Sequence, residues 1–182
     1  MKKVLLIIAD GFEEIEALGT VDVLRRLGIE VTVAGLSSGE KVSGAHQMAV
    51  IPDAPLSDVV ENSFDAVVLP GGMPGAANLD KSPVVTAVLE KAHRENKVIA
   101  AICAAPFILA KRNLLNGKVF TMYPGFESEL GGVSYTSNPA ETDGKIVTGK
   151  GPGAVFEFAK HLAVSLGMAA ECEKLYQGMF VE

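Results

Sequence analysis

VLLIIADGFEEIEALGTVDVLRRLGIEVTVAG, residues 4–35, decides the architecture. Its first six residues, Val4-Leu5-Leu6-Ile7-Ile8-Ala9, are apolar without a break, and 29–35 carries Ile29, Val31, Thr32 and Val33. Short runs of this kind read as strands, and the unbroken first one as a strand buried on both faces. Between them residues 13–27 have helical character and stop at Gly28, a residue suited to a helix C-terminus. Strand, helix and strand in so short a stretch make a βαβ unit, which implies a parallel sheet and a right-handed crossover.

The alternation continues outward from this unit. Residues 64–69 predict a strand closed by Pro70-Gly71-Gly72, 83–95 a helix capped by Ser82, and 98–102 another buried strand. Residues 119–122 and 146–148 read as later strands, and 154–166 as a helix ended by Gly167. Residues 42–43 and 48–51 flank Gly44-Ala45-His46-Gln47, which predicts a small hairpin. No repeat, low-complexity tract or linker divides the chain, so residues 1–182 are expected to form one domain. The expected fold is a flavodoxin-like three-layer α/β/α sandwich around a mostly parallel sheet. Ligands in such folds bind beyond the carboxyl ends of the strands. That directs attention to residues 10–12, 70–75 and 103–106, and to the segment after Met122.

Composition removes several functions. Sixteen Lys and Arg against 22 Asp and Glu give a net charge of −6, so no global positive field would gather nucleic acid or anionic membrane. No apolar run approaches the roughly 20 residues that span a bilayer. Asp10, Glu13, Glu14 and Glu16 follow the first apolar run too soon for a secretory leader. Two cysteines do not make a disulfide scaffold and fit a reducing cytoplasm. Neither Cys103 nor Cys172 has a Cys or His at ligand spacing, so no metal is expected. Pro70-Gly71-Gly72 lacks the spacing of a dinucleotide or P-loop, and no cofactor is expected.

Cys103 falls between the strand at 98–102 and a helix starting near Pro106. A side chain at such a turn projects into the ligand crevice, where a helix N-terminus favours thiolate over thiol. A small buried hydrophobe accounts for the residue equally well. Cys172 sits among acidic neighbours, which raise a thiol pKa, and reads as structural. Pro70-Gly71-Gly72 reads as a tight turn that can also offer backbone N–H groups to an oxyanion. Complementarity to the helix dipole accounts for Glu13 and Glu14. Glu16 lies on a stripe continued by Thr20, Val23 and Leu27, where burial would raise its pKa, though the dipole account covers it too. His93 and His161 read as surface or cap residues and His46 as an exposed turn residue, so no Cys–His dyad is expected.

Asp10-Gly11-Phe12-Glu13-Glu14-Ile15-Glu16, Leu69-Pro70-Gly71-Gly72, Ala101-Ile102-Cys103-Ala104-Ala105-Pro106 and Gly151-Pro152-Gly153 occur in that order. Together they resemble the ThiJ/PfpI superfamily, in the branch of the Parkinson-disease deglycase and its bacterial relatives. The likeness runs from Lys3 to about Leu166. It implies a homodimer with a nucleophilic, oxidation-prone Cys103 and a protonated Glu16 hydrogen-bonded to it. Oxyanion donors would fall on the amides of Gly72 and Ala104, with Gly71 beside them. Ala104 stands where the protease-like branch has His, so peptidase activity is not expected. Tyr123 stands where nearer relatives often have His, which leaves proton transfer to Glu16.

The function this resemblance implies is a glyoxalase III or protein deglycase. Its partners would be a small aldehyde such as methylglyoxal, or a glycated protein. The rival is a redox-sensing, chaperone-like stress protein whose Cys103 is oxidised to sulfinate. A thiamine-biosynthesis role, suggested by the superfamily's older name, has no residue to support it. Ile15 and Leu18 form an apolar pair on the arc of Asp22, Arg25 and Arg26, and are the expected dimer contact.

Overall fold

A computed structural model describes residues 1–37, 39–132 and 134–181. The strands are β1 (Lys3–Ile8), β2 (Glu30–Gly35), β3 (Val42–Ser43), β4 (Ala49–Val50), β5 (Ala54–Pro55), β6 (Ala66–Leu69), β7 (Val98–Ile102), β8 (Ala140–Asp143) and β9 (Ile146–Gly149). The helices are α1 (Glu14–Arg26), α2 (Leu56–Val59), α3 (Gly75–Asp80), α4 (Pro83–Arg94), α5 (Pro106–Lys111), α6 (Val155–Ser165) and α7 (Ala169–Met179). Seven strands form one sheet in the order β5-β2-β1-β6-β7-β9-β8, parallel throughout except for the β8–β9 pair. A separate β3–β4 hairpin stands beside it.

The sheet is covered on both faces because its central strands, β1 from Val4 onward, β6 and β7, are apolar at every position. Leu5 and Ile7 of β1 point with Val67, Leu69, Ile99 and Ala101 into a core closed by α2, α3, α4 and α5. Val4, Leu6 and Ile8 point with Ala66, Val68, Val98 and Ala100 into the opposite core, closed by α1 and α6. A smaller cluster joins Val23, Ala159, Ala163, Cys172 and Tyr176 where α7 packs over α1 and α6. These are the three layers of a flavodoxin-like sandwich. No helix among the described residues is long and apolar enough to cross a membrane.

Strand order reverses between β1 and β6, since the chain lays β2 on one side of β1 and β6, β7 and β9 on the other. Such a switch point opens a crevice at the carboxyl ends of the two strands. The turns after β1, β6 and β7 all meet there.

Residues 119–122 do not form the expected strand. Thr121 makes a single bridge to Thr136, and its N–H donates to the Thr148 hydroxyl at 2.9 Å rather than to a backbone ladder. The edge of β9 is taken instead by β8, folded back through Gly144 and Lys145. An Asp143-Gly144 step is a hairpin signal that the polar composition of 140–143 concealed.

Phe158 of α6 is fully buried, whereas Phe180 is 92% exposed. Phe158→Ala is expected to destabilise the fold by about 3–5 kcal/mol in urea denaturation. Phe180→Ala should change it by less than about 0.5 kcal/mol.

Candidate active site

The site begins with the way α1 starts. Glu13 is its N-cap, and the Glu13 carboxylate accepts the Glu16 N–H at 2.7 Å. This fixes the first turn, and Glu16 projects from it into the switch-point crevice with no exposed surface. There Glu16 Oε2 accepts the Gly71 N–H at 2.7 Å. Oε1 is buried with no hydrogen-bond partner, and the Cys103 thiol stands close enough to oppose the rise in the carboxyl's pKa. Residue 71 must be glycine. A Cβ there would stand 2.7 Å from both the Cys103 Cβ and Glu16 Oε2, driving the two apart.

Cys103 stands directly after β7 with φ of 64°, an unusual backbone for a side-chain-bearing residue. The conformation is held from two sides. Its N–H donates to the Gly149 carbonyl at 2.9 Å, and its carbonyl accepts the Tyr123 N–H at 2.8 Å. The strained turn presents the sulfur to the crevice, where the backbone amides of Ala104 and Gly72 favour its ionised form.

Burial dominates the electrostatics. It pushes the Glu16 carboxyl up from 4.5 to about 7, against the lowering contacts of Cys103 and Gly71, with the Glu13 charge adding to the rise. Burial also pushes the Cys103 thiol up, and an ionised Glu16 pushes it further. This corrects the expectation that a helix N-terminus alone lowers the thiol pKa. Helix α5 has six residues, and Cys103 precedes it by three. The amides of Ala104 and Gly72 favour a thiolate, but they oppose the larger effects of desolvation and of Glu16. The sign of the Glu16 effect depends on its proton. A protonated carboxyl carries no repelling charge and donates a hydrogen bond to sulfur, so the two groups titrate as one pair.

The crevice gathers Glu16, Gly71, Gly72, Cys103 and Ala104. Gly71, expected beside the oxyanion donors, spends its amide on Glu16 and so orients the carboxyl. Ile15 and Leu18 lie outside the crevice, 57% and 40% exposed on the open face of α1. Cys172 is buried between helices, and its pKa is raised by burial first. No histidine acts on Cys103. His161 contacts Thr142, and His46, although exposed, contacts Glu14. Glu14 is itself 2% exposed and ties the β3–β4 turn to α1, a role its place in an acidic helix start did not reveal. Tyr123 leans on Gly151 at the mouth of an open cleft of about 370 Å³ that Ser137, Lys150 and Pro152 also line.

Glu16 makes stability depend on pH with a definite sign. Its folded pKa lies above its unfolded one, so its full contribution is present below the ordinary carboxylate range and is lost as pH rises through about 7. The loss is about 3 kcal/mol by linkage. Glu16→Gln is expected to flatten this fall when unfolding free energies are measured by urea titration between pH 4.5 and 8.

The sequence and the fold have counterparts among known proteins. The chain matches the DJ-1/PfpI family over residues 2–164. It is 40% identical to Protein dj-1beta of Drosophila melanogaster, over 99% of this chain and 97% of that one. It is 35% identical to a Caenorhabditis elegans protein named glutathione-independent glyoxalase DJR-1.2, over 89% and 87% of the two chains. A crystal structure of a DJ-1 superfamily protein from Salmonella typhimurium superposes with a TM-score of 0.95 at 35% identity, covering all of both chains. This chain belongs to the DJ-1/PfpI family.

Proposed function

We propose that this chain is a cofactor-free, cysteine-dependent enzyme of the glyoxalase III or protein-deglycase type. Its substrates are methylglyoxal-class 2-oxoaldehydes or the adducts they leave on proteins, and its role is defence against carbonyl and oxidative stress in the cytoplasm. The observation that carries this reading is the buried Glu16 carboxyl, with a pKa near neutrality, set against the Cys103 thiol. A glyoxalase among its relatives supports it.

The chemistry follows from one mobile proton. Cys103 thiolate adds to the aldehyde carbon, forming a C–S bond while the carbonyl π electrons move to oxygen. The amides of Gly72 and Ala104 hold that oxyanion, and Glu16 protonates it to a hemithioacetal. Glu16, now ionised, takes the proton from the former aldehyde carbon to give an enediol. Reprotonation at the neighbouring carbon leaves a 2-hydroxy thioester on Cys103. Water cleaves the thioester, releasing the 2-hydroxy acid and the thiol. The aldehyde carbon is oxidised and the ketone carbon reduced within one molecule, so no external oxidant or cofactor enters.

Methylglyoxal consumption by wild type, Cys103→Ser, Glu16→Gln and Glu16→Asp tests this reading. Cys103→Ser should abolish turnover. Glu16→Gln keeps a hydrogen-bond donor but cannot exchange a proton usefully. It should lower turnover by about 100-fold or more while Cys103 still reacts with iodoacetamide. Glu16→Asp shortens the reach and should impair both. Wild-type turnover in Glu16→Gln would sink the mechanism. Absence of turnover in wild type, with stable addition of two oxygens to Cys103 under mild peroxide, would establish the redox-sensor reading instead.

The active form we propose is a homodimer joined through Ile15 and Leu18. These apolar side chains stand exposed on the face of α1 that also carries the Asp22–Arg26 ion pair. An isologous contact would bury them against their symmetry mates. Light scattering should give twice the chain's 19.1 kDa, and Ile15→Asp should return it to the single-chain mass. A monomeric wild type at micromolar concentration would refute the assignment.

A further inference from the structure

Beside the crevice, where the β3–β4 turn meets the start of α1, stand Glu13, Glu14 and His46. One ligand atom from each lies within 4.8 Å of the other two, and this is the one such His–carboxylate group among the described residues. The two carboxylates are 7% and 2% exposed. No Lys or Arg among the described residues pairs with either, so two adjacent anions are held out of water with one imidazole between them.

Half of the carboxylate oxygens are satisfied by backbone. Glu13 Oε2 accepts the Glu16 N–H at 2.7 Å, and Glu14 Oε1 accepts the His46 N–H at 2.7 Å. The other half face each other. Glu14 Oε2 lies 2.8 Å from His46 Nδ1, and Glu13 Oε1 has only the same Nδ1, at 3.9 Å, beyond hydrogen-bond reach. An oxygen with no donor, on a side chain more than nine-tenths buried and aimed into the cluster, is an open ligand position. Gly44 makes room for the arrangement, because a Cβ there would lie 2.2 Å from Glu14 Oε1.

We propose that Glu13 Oε1, Glu14 Oε2 and His46 Nδ1 form a three-ligand site for a zinc-class divalent cation. Zinc bonds of about 2.1 Å place neighbouring ligands about 3.4 Å apart in a tetrahedron. The observed separations of 2.8 and 3.9 Å bracket that edge. His46 is two-thirds exposed on a turn, so its ring can make the small adjustment and leaves the fourth position to water. The ion would replace the proton now shared between Nδ1 and Glu14 and would neutralise the buried pair. Imidazole among the ligands selects zinc-class metals over magnesium and calcium, which take oxygen. The site also touches the catalytic crevice. Glu13 caps the Glu16 N–H, and its own N–H donates to the Gly71 carbonyl at 3.0 Å.

The test is zinc titration by calorimetry with native mass spectrometry, in a Cys103→Ser background that removes the reactive thiol as a ligand. One equivalent per chain is expected there. Adding His46→Ala should weaken it by about 10-fold or more, as should Glu13→Gln, whereas His93→Ala, on α4, should leave it unchanged. Cobalt in place of zinc should give the visible bands of a tetrahedral ion that disappear with His46→Ala. Because His46 is exposed, its loss leaves the fold intact, which circular dichroism checks. Absence of stoichiometric zinc in Cys103→Ser overturns the site. So does binding indifferent to His46→Ala, which would leave the cluster an ion pair only.

Discussion

Two acids that share one dry crevice do not both ionise, and the arrangement of this protein turns on that constraint. Glu16 is wholly buried, and Cys103 is held against it by a backbone turn of positive φ. Burial raises both pKa values, so near neutrality the pair holds a single proton between two oxygens and a sulfur. The surroundings divide their donors between the two sites. Gly71 offers one N–H to the carboxyl, while the amides of Gly72 and Ala104 favour charge on the sulfur. The proposed mechanism needs the charge on Cys103 and the proton on Glu16, whereas burial favours the reverse order, with Glu16 ionising near 7 and the thiol held above its ordinary value.

The fold supplies the precision this requires. Three adjacent parallel strands, β1, β6 and β7, end at one switch point, and each delivers one component. The turn after β1 begins the helix of Glu16, the turn after β6 brings Gly71 and Gly72, and β7 ends at Cys103. Register within the sheet therefore controls geometry within the site. The hydrogen bonds that Cys103 donates to the Gly149 carbonyl and accepts from the Tyr123 N–H hold its turn from elements distant in sequence, so its strain is carried by the end of β9 and the segment around Tyr123.

What could be read from residues alone followed from local pattern. Unbroken apolar runs located β1, β6 and β7, and a strand-to-helix turn rich in alanine located Cys103. The β8–β9 pairing stayed hidden because residues 140–143 are largely polar and their only marker is Asp143-Gly144. Residues 119–122 looked like a strand because apolar character does not reveal which edge is already occupied. The electrostatics were least legible. A helix N-terminus suggested a lowered thiol pKa, whereas desolvation and Glu16 outweigh it, and both depend on contacts between segments far apart in the chain. Glu14 and His46, 32 residues apart, likewise meet only through the hairpin.

The location of the shared proton can be observed directly. Infrared difference spectra between wild type and Glu16→Gln at pH 8, with Glu side-chain carboxyls isotopically labelled, would report it alongside ultraviolet absorbance of the Cys103 thiolate. The account predicts a protonated carboxyl C=O band that is present in wild type, absent in Glu16→Gln, and accompanied by thiolate absorbance that Cys103→Ser removes. An ionised carboxylate signal from Glu16 together with an S–H stretch from Cys103 would contradict it.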